Sequence, residues 1–334
     1  MNKLDRVAAV LAGRQPDRLP VSFWYHFPAD CACGPRAVEA HVRHAETYDL
    51  DFLKIMDDNR YPRPATAAGV IAEVGDLDKL SVLRGDEDTF GLQLELIGAL
   101  TQRLASELPL ATTVFNAWGT LRNLTVPPIA THGPPSLADG TIDPRDALLT
   151  RFLHAAPEAV ARALSVIAES TANFARHCLA AGANGIYLSV RDDWVETPQN
   201  GLGTYDRVVR TSDLTILAGT QQGTFNMLHV CGQAVDFDRF AAYPVQVLSW
   251  ADRYAGPSIA AVVGQVRPAL CAGLDNLGTM VTGSPDDCAR QVADAVAQAA
   301  GCPILIAPGC TFDPHVVPPE NLHAIRRAVE IANG

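Results

Sequence analysis

The chain has 334 residues, 48% of them apolar and 19% charged, with a formal net charge of −11. That balance supports a large core and excludes disorder, and the acidic surface excludes a nucleic-acid groove or an anionic membrane as partner. Eight cysteines are too sparse for a disulfide scaffold, so reduced thiols and a cytoplasmic protein are expected.

The first segment places Leu4, Val7, Ala8 and Leu11 on one helical face, and Asp5 and Arg6 interrupt any apolar signal region, so no signal peptide is expected. No apolar run approaches the roughly 18 residues of a membrane span. Short β-rich runs then recur at 20–26, 51–56, 111–116, 185–190, 224–230, 245–250, 268–272 and 303–307, each bounded by Pro, Gly, Asp or Asn. Helical periodicity fills the gaps. Val160, Leu164, Ile167, Thr171, Phe174 and Cys178 step by three and four, as do Cys288, Val292, Val296 and Ala299. A last helix opens at Pro318-Pro319-Glu320 and carries Leu322, Ile325, Val329 and Ala332 on one side.

Eight strands, each followed by helical material, predict an α/β protein: a single (β/α)8 TIM-type barrel covering 1–334. A doubly wound sheet would carry a Gly-rich phosphate turn after its first strand, and none is present. The connections 58–94 and 117–146 leave the C-terminal ends of the second and third strands. The latter contains Pro127-Pro128 and Gly133-Pro134-Pro135. Both are expected to hang over the mouth as partial lids. Cys178, Cys271, Cys288 and Cys302 sit among apolar neighbours and read as core residues.

In such a barrel the residues just past each strand build the active site. Here they include His26, Asp57, Asp58, Asn116, Trp118, Arg191, Asp192, Asp193, Trp194, Trp250, Asp252, Asp275 and Asn276. Asp57, Asp58 and Asp193 are candidate acid–base groups, and His26, Asn116 and Trp250 are candidate contacts to a cofactor. The plainer readings are helix capping for the two adjacent aspartates and a local ion pair for Arg191 with Asp193. Cys31-Ala32-Cys33 reads as incidental cysteines, with a thiol pair or a second soft metal site as the alternative, and His315, five residues after Cys310, is a candidate to line the mouth.

The sharpest signal is His229-Val230-Cys231-Gly232. In an extended chain residues i and i+2 face the same way, so His229 and Cys231 can meet one point. Cys310, after Pro308-Gly309, ends the last predicted strand and reaches the same mouth. One imidazole and two thiolates form a catalytic zinc set with an open fourth position. An isolated H-x-C is more often core packing; a third soft ligand at another strand end turns the balance towards a metal. Asp252, Asp193 and His26 are candidate fourth ligands.

The chain resembles the uroporphyrinogen decarboxylase superfamily, and within it the zinc-dependent branch that includes the methylcobalamin:coenzyme M methyltransferases. The resemblance runs from Asn2-Lys3-Leu4-Asp5-Arg6-Val7 and Pro16-Asp17-Arg18-Leu19-Pro20-Val21 through Asp51-Phe52-Leu53-Lys54-Ile55-Met56 and Gly182-Ala183-Asn184-Gly185-Ile186. It ends with Leu228-His229-Val230-Cys231-Gly232, Gly309-Cys310 and Pro318-Pro319-Glu320-Asn321-Leu322. It implies a TIM-type barrel and a methyl acceptor activated as a zinc-bound thiolate, with a corrinoid as methyl carrier on a separate protein. The decarboxylases of the superfamily carry an R-Q-A-G-R stretch after the first strand; here that place reads Phe23-Trp24-Tyr25-His26-Phe27. Uroporphyrinogen is therefore not the expected substrate.

Three functions follow in order: methyl transfer between a corrinoid or other donor and a small-molecule thiol; zinc-assisted lyase or decarboxylase chemistry on a small carboxylate, with Asp57 or Asp58 as the key group; and a non-catalytic binding barrel. A monomer or a homodimer is expected in each case.

Overall fold

The structure is a computed structural model, and it describes residues 1–66, 68–127, 142–233 and 235–331. Seven parallel strands form one sheet in sequence order: β1 Leu53–Ile55, β2 Leu110–Phe115, β3 Gly185–Val190, β4 Met227–Val230, β5 Val247–Trp250, β6 Ala269–Leu274 and β7 Leu305–Pro308. Every neighbouring pair is parallel, as strands separated by helical crossovers must be. Among the described residues no helix is long and apolar enough to cross a membrane.

The strands alternate faces with period two, and the alternation separates two cores. Ile186, Leu188, Leu228, Val230, Leu248 and Ile306 pack in the larger core with the surrounding helices. Tyr187, Met227, Val247, Cys271, Leu305 and Ala307 turn inward and meet Phe52, Met56 and Trp24 in a second core. By parity, Lys54 lies between Phe52 and Met56 on that inner face, and His229 and Ser249 follow Met227 and Val247 onto it.

Seven of the eight expected strands are present, with ends shifted by up to three residues. The run 20–26 is not a strand; it makes one parallel bridge, Val21 to Ile306. The reason is local. Pro20 has no N–H to donate, and the Val21 N–H is taken by the Asp51 carboxylate at 2.9 Å instead of a ladder carbonyl. The segment still joins the two edges of the sheet. On the β7 side, Ile306 N–H donates to Pro20 O and Ser22 N–H to Ile306 O; on the β1 side, Asp51 N–H donates to Val21 O.

Asp51 is fully buried and binds more than Val21. Arg6 donates to it at 2.8 Å from the helix Lys3–Leu11, and Arg18 at 2.5 Å. Arg6 also grips Asp17. The amphipathic first helix is thus held beneath the sheet by one carboxylate shared between two guanidiniums.

The helices match the periodicity: Pro157–Ala180, Pro285–Gln298 and Pro319–Ile331. Ser284 and Asp287 form a reciprocal capping box at the start of the second. The two expected lids are not simple loops. Within 58–94 lie the short 3-10 turn Val74–Lys79 and the start of the helix Asp88–Leu104. Within 117–146 lie the helix Ala117–Leu124 and the start of Pro144–Ala155, whereas 128–141 lies outside the described residues. The Asn116 side chain accepts from Gly119 N–H and so starts a helix at once where a loop was expected. Cys178, Cys271 and Cys288 are buried, but Cys302 is exposed. It follows the left-handed pair Ala300 and Gly301, which turns the chain over the surface before β7.

Replacing Asp51 by Ala leaves two nearly buried guanidiniums without their shared anion. Loss of about 3–5 kcal/mol in urea unfolding is expected; a loss under about 1 kcal/mol would mean that Asp51 does not hold the first helix to the barrel.

Candidate metal centre

β4 ends at Val230 and β7 at Pro308, and the chain carries His229, Cys231 and Cys310 at those ends. Their ligand atoms all lie within 4.8 Å of one another. Two glycines make this approach possible. Gly232 has a φ of +134°, and a Cβ there would lie 3.1 Å from an Asp193 carboxylate oxygen. A Cβ on Gly309 would lie 2.8 Å from the Ala251 Cα, so only glycine lets the β7 tip close on the loop after β5.

The sulfurs of Cys231 and Cys310 are 3.8 Å apart. A disulfide would need about 2.05 Å. Two thiolates on a tetrahedral zinc, each at about 2.3 Å, stand about 3.8 Å apart. His229 is buried. Its Nδ1 faces the Ser249 hydroxyl at 3.3 Å on the neighbouring strand, whereas Nε2 has no hydrogen-bond partner. A buried ring nitrogen left unpaired beside two thiols is the donor expected of a metal ligand. The soft sulfur–nitrogen set suits zinc.

Without a cation the two sulfurs are hydrogen-bonded to each other. Their mutual hydrogen bond pushes the Cys231 thiol up and pulls Cys310 well below the ordinary thiol range, with the His229 ring adding to the second effect. Positive groups stand nearby. Arg191 donates to Asp193 through Nε at 2.7 Å and stacks its guanidinium on Trp194, 4.3 Å from the ring centre. Burial opposes its charge, but the Asp193 bond and the two thiols outweigh it and leave its pKa raised.

Lys54 lies deeper on the inner face. Its ammonium is 4.5 Å from the Tyr187 ring centre, and Tyr187 stacks on His229 at 5.2 Å. Burial pulls its pKa down to about 8, against both thiols and the Asp57 and Asp58 carboxylates.

The other expected site residues divide. His26 Nδ1 and Asp58 Oδ1 are 2.7 Å apart at the end of β1. Asp57 is buried beside them, and burial, assisted by Asp58, pushes its carboxyl up to about 7 although the Arg60 N–H bonds to it. Asp193 is bound up with Arg191. Asn116 spends its amide on Tyr205 and Asp213, behind β2. Trp250 is fully buried, donates to Pro257 O and packs on Phe237. Asp252 accepts from Gly273 N–H and faces Arg253. Cys31 and Cys33 lie in the turn before the helix Gly34–Thr47, and Asn59 donates to Ala32 O between them. His315 is exposed after β7.

Sequence reasoning missed Lys54, Tyr187 and Tyr254. The signal for Lys54 was a lone lysine at an inward position of an otherwise apolar strand. Tyr254 donates to Asn276, and its phenol is pushed up by burial and by the two thiols.

Residues 53–331 match the family model described as uroporphyrinogen decarboxylase (URO-D). A methyltransferase from Methanosarcina mazei aligns over 100% of both chains at 16% identity with a TM-score of 0.71, a likeness of fold. A B12-independent methionine synthase from a Shewanella species aligns over 72% of this chain and 66% of its own, at 12% identity and a TM-score of 0.46. A putative vitamin-B12-independent methionine synthase from Listeria monocytogenes gives 72%, 68%, 12% and 0.46 in the same order. Neither of these two is close enough to argue from. No curated protein matches the chain.

Two outcomes test this geometry. The purified chain should hold about one zinc, and Cys231→Ser or Cys310→Ser should lower that content at least tenfold by elemental analysis, a hydroxyl being a poor zinc ligand; full zinc in both variants would remove the site. For Asp57, the folded value near 7 lies above the ordinary carboxylate value of 3.8. Its contribution to stability is therefore complete below about pH 4 and lost as pH rises through about 7. Asp57→Asn keeps an acceptor for the Arg60 N–H and should gain roughly 1–3 kcal/mol on the parent between pH 4.5 and pH 8 in urea unfolding. An unchanged difference would show that Asp57 is ionised in the fold throughout.

Proposed function

The chain belongs to the uroporphyrinogen decarboxylase family, and from that membership and the geometry above we propose that it is a zinc-dependent methyltransferase with a small-molecule thiol as acceptor. The observation that carries the reading is the triad of His229, Cys231 and Cys310 within 4.8 Å, with an unpaired buried Nε2 and a sulfur pair at tetrahedral spacing. These three residues would hold a zinc ion, which would supply positive charge that favours the thiolate form of an acceptor while leaving its sulfur electron-rich.

The chain's own residues do the rest. Ser249 accepts from Nδ1–H and so keeps the His229 lone pair on Nε2, where a metal needs it. Tyr187 lies flat against the imidazole and prevents it from turning. Arg191, braced by Asp193, holds positive charge beside the thiols. Trp24 and Tyr187 wall the lumen below and keep water from it. The methyl donor in this reading is a corrinoid presented by a separate protein.

A lyase acting on a small carboxylate is the second reading. One observation favours it: Asp57 is a buried carboxyl poised near 7, the range wanted of a general acid or base.

X-ray absorption separates the two. Adding the acceptor thiol should raise the sulfurs around zinc from about two to about three and release about one proton near neutral pH. A count that stays at two with every thiol tried, joined to turnover of a thiol-free carboxylate, would favour the lyase. Uroporphyrinogen should lose no carboxyl groups at an enzymatic rate, because Phe23 and Trp24 are buried apolar residues where arginines would have to grip it. Measurable decarboxylation would contradict that.

A further inference from the structure

Lys54 is a buried cation without an ionic partner. Among the described residues its ammonium makes no ion pair; its contacts are the Met56 sulfur at 3.3 Å and the faces of Tyr187 and Trp24, at 4.5 and 5.7 Å. A thioether is a weak acceptor, and an ammonium has three donors. Ring faces recover part of the lost hydration. Burying a charge without an anion is still costly, and a methionine or leucine would fill such a place at less cost. The position is thus occupied by a charge that the fold itself does not need.

The surroundings say what the charge faces. Both thiols and the Asp57 and Asp58 carboxylates act on it electrostatically. Asp58 is already engaged with His26, and burial drives Asp57 towards its neutral form. A zinc ion with two thiolates and a neutral imidazole has no net charge. A neutral fourth ligand adds no charge to face Lys54, whereas an anionic one makes the centre −1 and adds a balancing charge.

Resting on the metal reading above, we propose that Lys54 is a specificity-determining residue that makes the open position of the metal centre select an anionic ligand over a neutral one. The ligand class is a thiolate or another soft monoanion. Lys54 acts through space, with its ammonium over the Tyr187 ring that in turn stacks on His229.

Cobalt(II) in place of zinc allows a test by visible absorption without turnover. Thiocyanate is the anionic probe and imidazole the neutral one. Lys54→Met keeps the length and removes the charge, and Lys54→Gln is a second uncharged variant should the first fold poorly. Both should weaken thiocyanate binding roughly 10- to 100-fold, the effect of one unit charge over about 6–10 Å at an effective dielectric near 20. Imidazole binding should change by less than about threefold, and Lys54→Arg should restore most of the thiocyanate affinity. Equal weakening of both probes would show a structural role and overturn the proposal, as would thiocyanate affinity that does not change. In either case cobalt with sulfur-to-metal bands in the parent would leave the metal reading standing. A parent that binds no cobalt would overturn the metal reading, and the proposal with it.

Discussion

Two cysteine sulfurs 3.8 Å apart in a buried site can share a hydrogen bond or a cation. They are too far apart to bond and too close for both to ionise unless a cation intervenes. With the hydrogen bond between them, one thiol is raised and the other lowered. A divalent cation would take both as thiolates and give His229 Nε2 the partner it lacks. Much of the surrounding architecture serves to hold these three atoms. The parallel ladder pairs His229 with Ser249, the period of two turns both inward, and Gly309 lets the tip of β7 close against the loop after β5.

The ladder also explains what was legible in the sequence. Buried parallel strands are short apolar runs, and those around Gly185–Val190 and Met227–Val230 stand out because Gly and Asn bound them. The H-x-C spacing carries its geometry with it, since an extended chain places i and i+2 on one side whatever the fold. The first predicted strand shows the opposite case. Its composition is that of a strand, but its pairing is decided by Asp51, which lies some 30 residues on and captures the Val21 N–H. No local pattern reveals that a carboxylate will substitute for a ladder partner.

Asn116 and Trp250 illustrate a related limit. Both stand at strand ends, where a barrel's chemistry is found, and both are polar or amphipathic. Their partners are distant in sequence, Asp213 and Tyr205 for one and Pro257 and Phe237 for the other. Position along a strand sets how deep a residue sits, and parity sets which way it faces. Trp250 is one residue beyond Ser249 and therefore on the outer face. Applying parity as well as position separates Ser249 from Trp250, and it adds Lys54 to the inner face.

The charges around the strand ends form a graded series, not a set of separate pairs. Arg191 is braced by Asp193 and cannot easily lose its proton. Lys54 has no brace and is pulled down to about 8. Asp57 is pushed up to about 7, with only backbone donors and the charge of Arg60 to oppose burial. The difference lies in hydrogen bonding: where a charge has a fixed opposite partner, burial is overcome, and where it has none, burial dominates. Arg191 is therefore a permanent positive group beside the thiols. Among these groups, Lys54 and Asp57 are the ones whose charge follows their surroundings.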